Sequence, residues 1–338
     1  MDSRPEKILA LQFKYFGDTV LMTPALRALR GHFPAAEIHL LVPAELAPLF
    51  QHLPWLTRVW AMPRRRGSAS LRETWPLIRA LRRERFDRSV DFAGNDRGAI
   101  LSFFIGAKNR LGWAERGGFF GRRFCYNQRV ALETSEQHES ARMMRLLFAW
   151  GVAPGPLELE IQSDPALDTA AAKLLPDRAV LCHIASSQPK KEWPLRHWAA
   201  FYEMAVRAGH SVVFNTGGGP RERELLAELT RLIPNAPALS PALDRAVFLA
   251  ALKRARVFIS GDTGPLHFAA GLGVPTISLF GPTSPARWAP VGKRHQILTG
   301  GVCGCDGNSA VCTATRPCLA EISPEQVFAA LPKAFAAK

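Results

Sequence analysis

Residues 259–285 read ISGDTGPLHFAAGLGVPTISLFGPTSP. The apolar run 257–260 has the length and composition of a buried strand, and it stops abruptly at Gly261-Asp262-Thr263-Gly264. A helix of small residues begins at once, with Pro265 in the first-turn position that proline tolerates. A second apolar run, 276–280, follows and also ends in glycine and hydroxyl, Gly281-Pro282-Thr283. Backbone N–H groups at a helix start are unpaired and carry partial positive charge, so such a strand–turn–helix corner attracts an anion, above all a phosphate. His267 lies in the first turn of that helix. Taken alone, the stretch suits equally a helix capped by Asp262 with a packed His267.

The rest of the second half repeats this grammar. A strand over 179–184 ends in Ala185-Ser186-Ser187, with Lys191 four residues on and a helix over 198–208. Two hydroxyls and an ammonium suit a diphosphate. A strand over 211–214 ends in Asn215-Thr216-Gly217-Gly218-Gly219, where glycines let the backbone approach a ligand, and a helix over 221–232 carries Glu222, placed to take a ribose hydroxyl. Several strands thus finish in small or hydroxyl residues, and ligands of doubly wound sheets bind beyond the carboxyl ends of strands.

The first half has the same alternation. A strand over 7–13 is followed by a glycine turn at residues 15–18 and a helix opened by Thr23-Pro24, with Thr23 as the expected N-cap. Strands over 37–42, around 59–60 and over 87–92, and a helix over 71–85, complete a βαβ pattern. Asp18 follows the first strand, where it suits either a helix cap, which spacing alone favours, or a base that accepts a hydroxyl proton. The proline-punctuated stretch 151–176 separates the halves, giving domains over 1–160 and 161–338.

The 338-residue chain is 47% hydrophobic and 21% charged, as a globular protein is. It has no apolar run long enough to span a membrane and no signal-like N-terminal core, so a cytoplasmic location is expected. Its formal charge of +14 favours anionic partners. The arginine clusters at 64–66, at 82, 83 and 85, and at Arg122-Arg123 stand beside no nucleic-acid-binding motif, so nucleic acid is not expected. Cys303, Cys305, Cys312 and Cys318 have a spacing compatible with zinc, without the paired C-x2-C knuckles that mark a zinc site. A P-loop, an early G-x-G-x-x-G, a G-x-S-x-G elbow and an Asp-x-Asp pair are all missing, which disfavours an NTPase, a dehydrogenase, a serine hydrolase and one common way of holding a metal–nucleotide complex.

Taken in order, KILALQFKYFGDTVLMTPALRALRGHFP, FDRSVDFAGNDRGAILSFFIGAKNRLGW, HIASSQPKKEWP and GDTGPLHFAAGLGVPTISLFGPTSP resemble glycosyltransferase family 9, the lipopolysaccharide heptosyltransferases. The resemblance runs over nearly the whole chain. It implies a GT-B fold: two Rossmann-like α/β domains with parallel sheets facing across a cleft, the N-terminal one for the acceptor and the C-terminal one for the nucleotide sugar. The last helix, around 324–336, would pack back on the first domain. It implies inverting, metal-independent transfer of heptose from ADP-L-glycero-D-manno-heptose to the lipopolysaccharide core, with no cofactor.

By resemblance, Asp18 matches the general base. Ser186, Ser187 and Lys191 match the diphosphate-holding residues, with Lys191 stabilising the leaving ADP, and Asp262, Thr263, Gly264 and His267 match the second wall of the donor site. Glu222 matches the ribose-binding acid, with Glu224 an alternative alignment, and Arg122 and Arg123 are candidates for the anionic acceptor. The protein is expected as a monomer, peripheral at the cytoplasmic face of the inner membrane. The cysteine-rich tail resembles that of the third-type branch, which adds later heptoses. Another nucleotide sugar as donor, or a non-catalytic nucleotide-sugar-binding protein on this scaffold, are the alternatives.

Overall fold

The computed structural model describes residues 4–14, 16–63, 71–114, 118–131, 137–305, 309–315 and 317–336, with the backbone alone described at 71–72. The arginine cluster at 64–66 lies outside these residues. The chain divides into two compact units, Met1–Leu157 and Glu158–Lys338.

Unit 1 holds strands β1 (Lys7–Leu11), β2 (Glu37–Pro43), β3 (Arg58–Met62), β4 (Arg88–Asp91), β5 (Asn109–Trp113) and β6 (Gln128–Val130), with helices α1 (Phe16–Leu21), α2 (Thr23–His32), α3 (Leu71–Arg83), α4 (Asp96–Ile105) and α5 (Glu139–Leu146). Its sheet is parallel throughout, in the order β3-β2-β1-β4-β5-β6. This is the doubly wound order whose direction reverses between the first and fourth strands. The central strand KILAL is buried almost end to end, because helices cover both faces of a parallel sheet.

Unit 2 holds α6 (Asp168–Leu174), β7 (Val180–His183), α7 (Leu195–Arg207), β8 (Val212–Asn215), α8 (Pro220–Leu232), α9 (Arg245–Arg254), β9 (Val257–Gly261), α10 (Gly264–Gly271), β10 (Thr276–Phe280), α11 (Pro285–Trp288), β11 (His295–Thr299) and α12 (Pro324–Ala336). Its parallel sheet runs β11-β10-β9-β7-β8 and reverses between β7 and β9. Trp193, Trp198, Phe201 and Phe214 build the core on one face, closed by Val327 and Leu331 of α12.

Two expectations need correction. Residues 16–21 are a helix, so the glycine turn after β1 is shorter than read, and Asp18 sits in the first turn of α1. Thr23 is not an N-cap: α1 runs almost directly into α2, and the Thr23 hydroxyl donates to the Val20 carbonyl (2.8 Å). Within unit 2, α12 packs against α7 and against β9, β10 and β11, where its apolar stripe completes the core.

Candidate functional site

In each unit the topology puts one pair of loops at the point where the sheet changes direction, beyond the carboxyl ends of its strands. Ligands bind there in doubly wound sheets, because two loops diverge and leave a crevice.

In unit 2 those loops follow β7 and β9, and they carry Ser186, Ser187 and Lys191 on one side and Asp262, Thr263 and Gly264 on the other. The two clusters meet: the Lys191 ammonium donates to the Asp262 carboxylate, Nζ to Oδ2, at 2.7 Å. Asp262 is therefore the partner of the lysine and not a helix cap. Thr263 holds the N-cap position of α10 in extended backbone, with no capping bond from its side chain. The close approach requires Gly261, since a Cβ there would lie 2.6 Å from the Lys191 carbonyl oxygen. An ammonium has three N–H groups, so the bond to Asp262 leaves two to meet an anion.

The surroundings hold the Lys191 loop in shape. Ser186 donates its N–H to Glu192 Oε1 (2.8 Å), and Arg221 clamps the same carboxylate through both terminal nitrogens (2.9 and 2.7 Å) while also donating to the Ser186 carbonyl. The bonds to Glu192 raise the Arg221 pKa further above its ordinary value. Ser186 itself is buried, and its hydroxyl accepts from the Gln188 N–H at 3.5 Å, whereas Ser187 is exposed and open to a ligand. Neither Glu192 nor Arg221 was singled out from the sequence. A Glu and an Arg 29 residues apart give no local signal of a bidentate pair.

Glu222 turns back on its own helix start, where Oε2 accepts from the Gly219 N–H (2.8 Å) at the N3 position of α8. The carboxylate fills the space over Gly217 that a side chain there would need. The structure thus assigns Glu222 a capping bond that the sequence reading did not include. His267 is buried in the first turn of α10. The Thr216 and Thr283 hydroxyls, which follow β8 and β10, are buried and take no hydrogen-bond partner among the described residues. Buried hydroxyls are nearly always bonded, so a pair left open at these strand ends suits a polar ligand.

The cysteine tail borders the same loops. Lys190 donates its N–H to the Ala310 carbonyl (3.3 Å), and Gly281 abuts Leu319 and the Cys318 sulfur. The Cys305 and Cys312 sulfurs are 3.3 Å apart. Hydrogen bonding from the Cys312 thiol brings Cys305 down to about 7, while burial pushes Cys318 up to about 11. Among the described residues no group of three or more Cys, His, Asp or Glu is arranged to hold a metal ion.

In unit 1 the direction changes between β1 and β4. Asp18 follows β1, and burial raises its pKa above the ordinary carboxylate value. Lys14 and Arg142 oppose that rise and Glu139 adds to it. Glu139 and Arg142, on α5, are further residues the sequence reading missed. Glu139 is buried and bonded by Arg142 through Nε (3.0 Å) and a terminal nitrogen, with Lys14 Nζ at 4.0 Å. The Arg142 guanidinium also lies over the Trp113 ring at 4.9 Å. Segments 125 residues apart thus build one charged cluster, and sequence spacing carries no trace of it.

At the end of β4, Asp91 is fully buried, and burial pushes its carboxyl up to about 6. Its oxygens accept from Tyr126 Oη (2.6 Å) and from the Ala93 N–H (2.9 Å). Arg122 is also buried: it donates to the Gly94 carbonyl and pairs with Asp96 at 3.6 Å. It anchors the loop after β4, a role the sequence reading did not give it. Arg123 is exposed, over the Phe124 ring at 4.8 Å, and stays available to an anion.

Residues 74–309 match the model of glycosyltransferase family 9 (heptosyltransferase). The chain belongs to glycosyltransferase family 9. It is thus a glycosyltransferase, and the matched span contains the loops after β7, β8, β9 and β10, while Asp18 lies before it. Lipopolysaccharide heptosyltransferase 2 of Escherichia coli K12 is 27% identical over 310 residues, covering 86% of this chain and 87% of that protein. A solved family 9 structure from Veillonella parvula superposes with a TM-score of 0.85 at 21% identity, covering 100% of this chain and 99% of that one. The E. coli heptosyltransferase WaaC, solved with ADP-2-deoxy-2-fluoro heptose, superposes with a TM-score of 0.72 at 21% identity, covering 97% and 99%. These likenesses agree with a GT-B fold of two Rossmann-like domains with parallel sheets. No helix of the described residues is long and apolar enough to cross a membrane.

Proposed function

We propose that this enzyme transfers heptose from ADP-L-glycero-D-manno-heptose to an anionic lipopolysaccharide core acceptor, with inversion and without a metal or other cofactor. The observation that carries the reading is the Lys191–Asp262 pair at the direction change of the unit 2 sheet. It supplies a held ammonium where the diphosphate of a nucleotide sugar belongs, beside the open N-terminus of α10 and the Ser187 hydroxyl. The family membership and the relatives' names support heptose as the sugar, and the ADP-2-deoxy-2-fluoro heptose held by WaaC supports ADP as the carrier.

In the proposed reaction an acceptor hydroxyl oxygen attacks the anomeric carbon as the bond from that carbon to the β-phosphate oxygen breaks. Asp18 takes the hydroxyl proton. A carboxylate raised by burial holds that proton better than an exposed one and is the stronger base. Lys191, Ser187 and the α10 N–H groups take up the negative charge that grows on departing ADP, an interaction stronger in the transition state than in the ground state. The N-terminal unit would bind the acceptor, with Arg123 toward its anionic groups. The enzyme would work as a monomer, peripheral at the cytoplasmic face of the inner membrane.

Calorimetric titration with ADP, ADP-heptose and UDP-glucose tests the donor. The expected result is binding of the two adenine ligands, lost or strongly weakened in a Lys191→Ala variant. Preference for UDP-glucose would overturn the donor assignment, and binding unchanged by Lys191→Ala would overturn the site.

A further inference from the structure

Unit 1 carries an aromatic surface that its core does not explain. Trp75 of α3 is 49% exposed, Phe103 of α4 50%, Phe124 63% and Phe120 100%. Phe104 joins them, its ring 6.5 Å from Trp75 and 5.7 Å from Phe103, both edge-on. Helix α4 packs against both α3 and the 122–125 turn, so the three elements that carry these rings are neighbours. A monomer seldom exposes so many large apolar side chains together unless something covers them.

The strip is built, not frayed. Gly118 and Gly121 adopt left-handed backbone (φ +85° and +97°), which makes the tight turn that carries Phe120 outward. Arg122, buried beneath, ties that turn to the Gly94 carbonyl and to Asp96. A Cβ on Gly118 would lie 2.8 Å from the Arg122 side chain, so turn and anchor fit only with glycine there.

The charge around the strip identifies what it meets. Arg79, Arg82 and Arg83 are exposed on α3, and Arg79 stands one helical turn after Trp75. Arg82 reaches over α4 and donates to the Phe104 carbonyl (2.9 Å), while Arg123 lies on the Phe124 ring. Residues 1–157 contain 24 Lys and Arg against 14 Asp and Glu. A protein interface keeps charges out of its apolar centre. Aromatic rings interleaved with arginines suit instead a bilayer boundary, where rings enter the headgroup level and guanidinium groups meet lipid phosphates.

We infer that this strip of α3, α4 and the 118–124 turn docks the enzyme on the surface of an anionic phospholipid bilayer. The inference rests on the proposed function to the extent that a lipid-borne acceptor gives the enzyme reason to work there. Docking holds unit 1 at the headgroup layer, and Phe120 and Phe124 are the side chains that insert.

Flotation of the full-length protein with vesicles tests this. Phosphatidylcholine vesicles are compared with vesicles that also contain phosphatidylglycerol, at low and high salt. The protein is expected to float with the anionic vesicles, less so at high salt. Phe120→Ser with Phe124→Ser should weaken partitioning on the order of tenfold. Arg79→Gln and Arg83→Gln should each weaken it about fivefold. All four side chains are exposed, so folding should be retained, and unchanged ADP binding checks this. Absence of flotation with anionic vesicles, or flotation unchanged in the phenylalanine variant, overturns the inference. So does sedimentation showing a concentration-dependent self-association that the same variants abolish, which would assign the strip to a second copy. Flotation needs neither donor nor acceptor. Failure of the unaltered protein to float with anionic vesicles while it binds ADP therefore counts against this inference alone, and failure of the unaltered protein to bind ADP while it floats counts against the transferase reading alone.

Discussion

Replacing Lys191 with alanine removes the ammonium that the Asp262 carboxylate holds at 2.7 Å, in a place where the lysine side chain is 18% exposed and the aspartate 10%. Water therefore screens the pair little. The lost charge-assisted bond to a diphosphate is worth roughly 1.5–3 kcal/mol. The change also leaves Asp262 without its counter-charge beside an incoming anion, adding about 1 kcal/mol. Together these weaken ADP binding by roughly 2.5–4 kcal/mol, or about two to three decades in Kd. The cycle is completed by Asp262→Asn. On this reasoning Asp262 positions the lysine and repels the ligand, so Asp262→Asn alone should change ADP affinity by less than about tenfold. The double variant should bind ADP more tightly than Lys191→Ala by about 1 kcal/mol, the signature of coupled neighbours. Calorimetry on the four proteins reads the cycle. An Asp262→Asn loss as large as that of Lys191→Ala, with no recovery in the double variant, would refute the reasoning, because Asp262 would then bind the nucleotide itself.

Three other perturbations follow from the geometry. Asp18→Asn should lower kcat by a factor on the order of 10²–10⁴ with ADP affinity retained, and Glu139→Gln, which removes a charge that raises Asp18, should move the acid limb of kcat/KM against pH to lower pH. Asp91 is raised in the folded protein from its ordinary 3.8 to about 6, so the stability it confers is fully present below pH 3.8 and is lost as pH rises through 6, a difference of roughly 3 kcal/mol. Thermal unfolding across pH 4–7 should show that decline, and Asp91→Asn should flatten it. Gly261→Ala puts a Cβ 2.6 Å from the Lys191 carbonyl, which should destabilise the protein by about 1–3 kcal/mol and weaken ADP binding, read by denaturant unfolding and calorimetry on the same variant.

Much of the fold was legible because buried parallel strands leave a strong local mark. KILAL, VLCH, VFISG and TISLF are dominated by apolar residues, and each became a strand near its expected limits. The edge strands QRV and HQILT and the interior strand NRLGW went unread. QRV and HQILT bury little, so their sequences mix polar and apolar residues and show no clean period, and NRLGW opens on two half-buried polar residues. The caps were misread for a related reason. Thr23 and Asp262 have capping chemistry, but an adjoining helix and a distant lysine decide what each does.

By itself the sequence determined the two α/β halves, the strand ends rich in glycine and hydroxyl residues and, through its motifs, the family. These depend on residues close together in the chain, where composition and spacing set the outcome. The tertiary structure decided the partners: Lys191 with Asp262, Glu192 with Arg221, Asp18 with a charged cluster from α5, and Arg122 turned inward to present Phe120. Such pairs form between segments up to 125 residues apart, and electrostatics and burial act through space. The same side chain can therefore be a cap, a counter-ion or an anchor, and folding selects which.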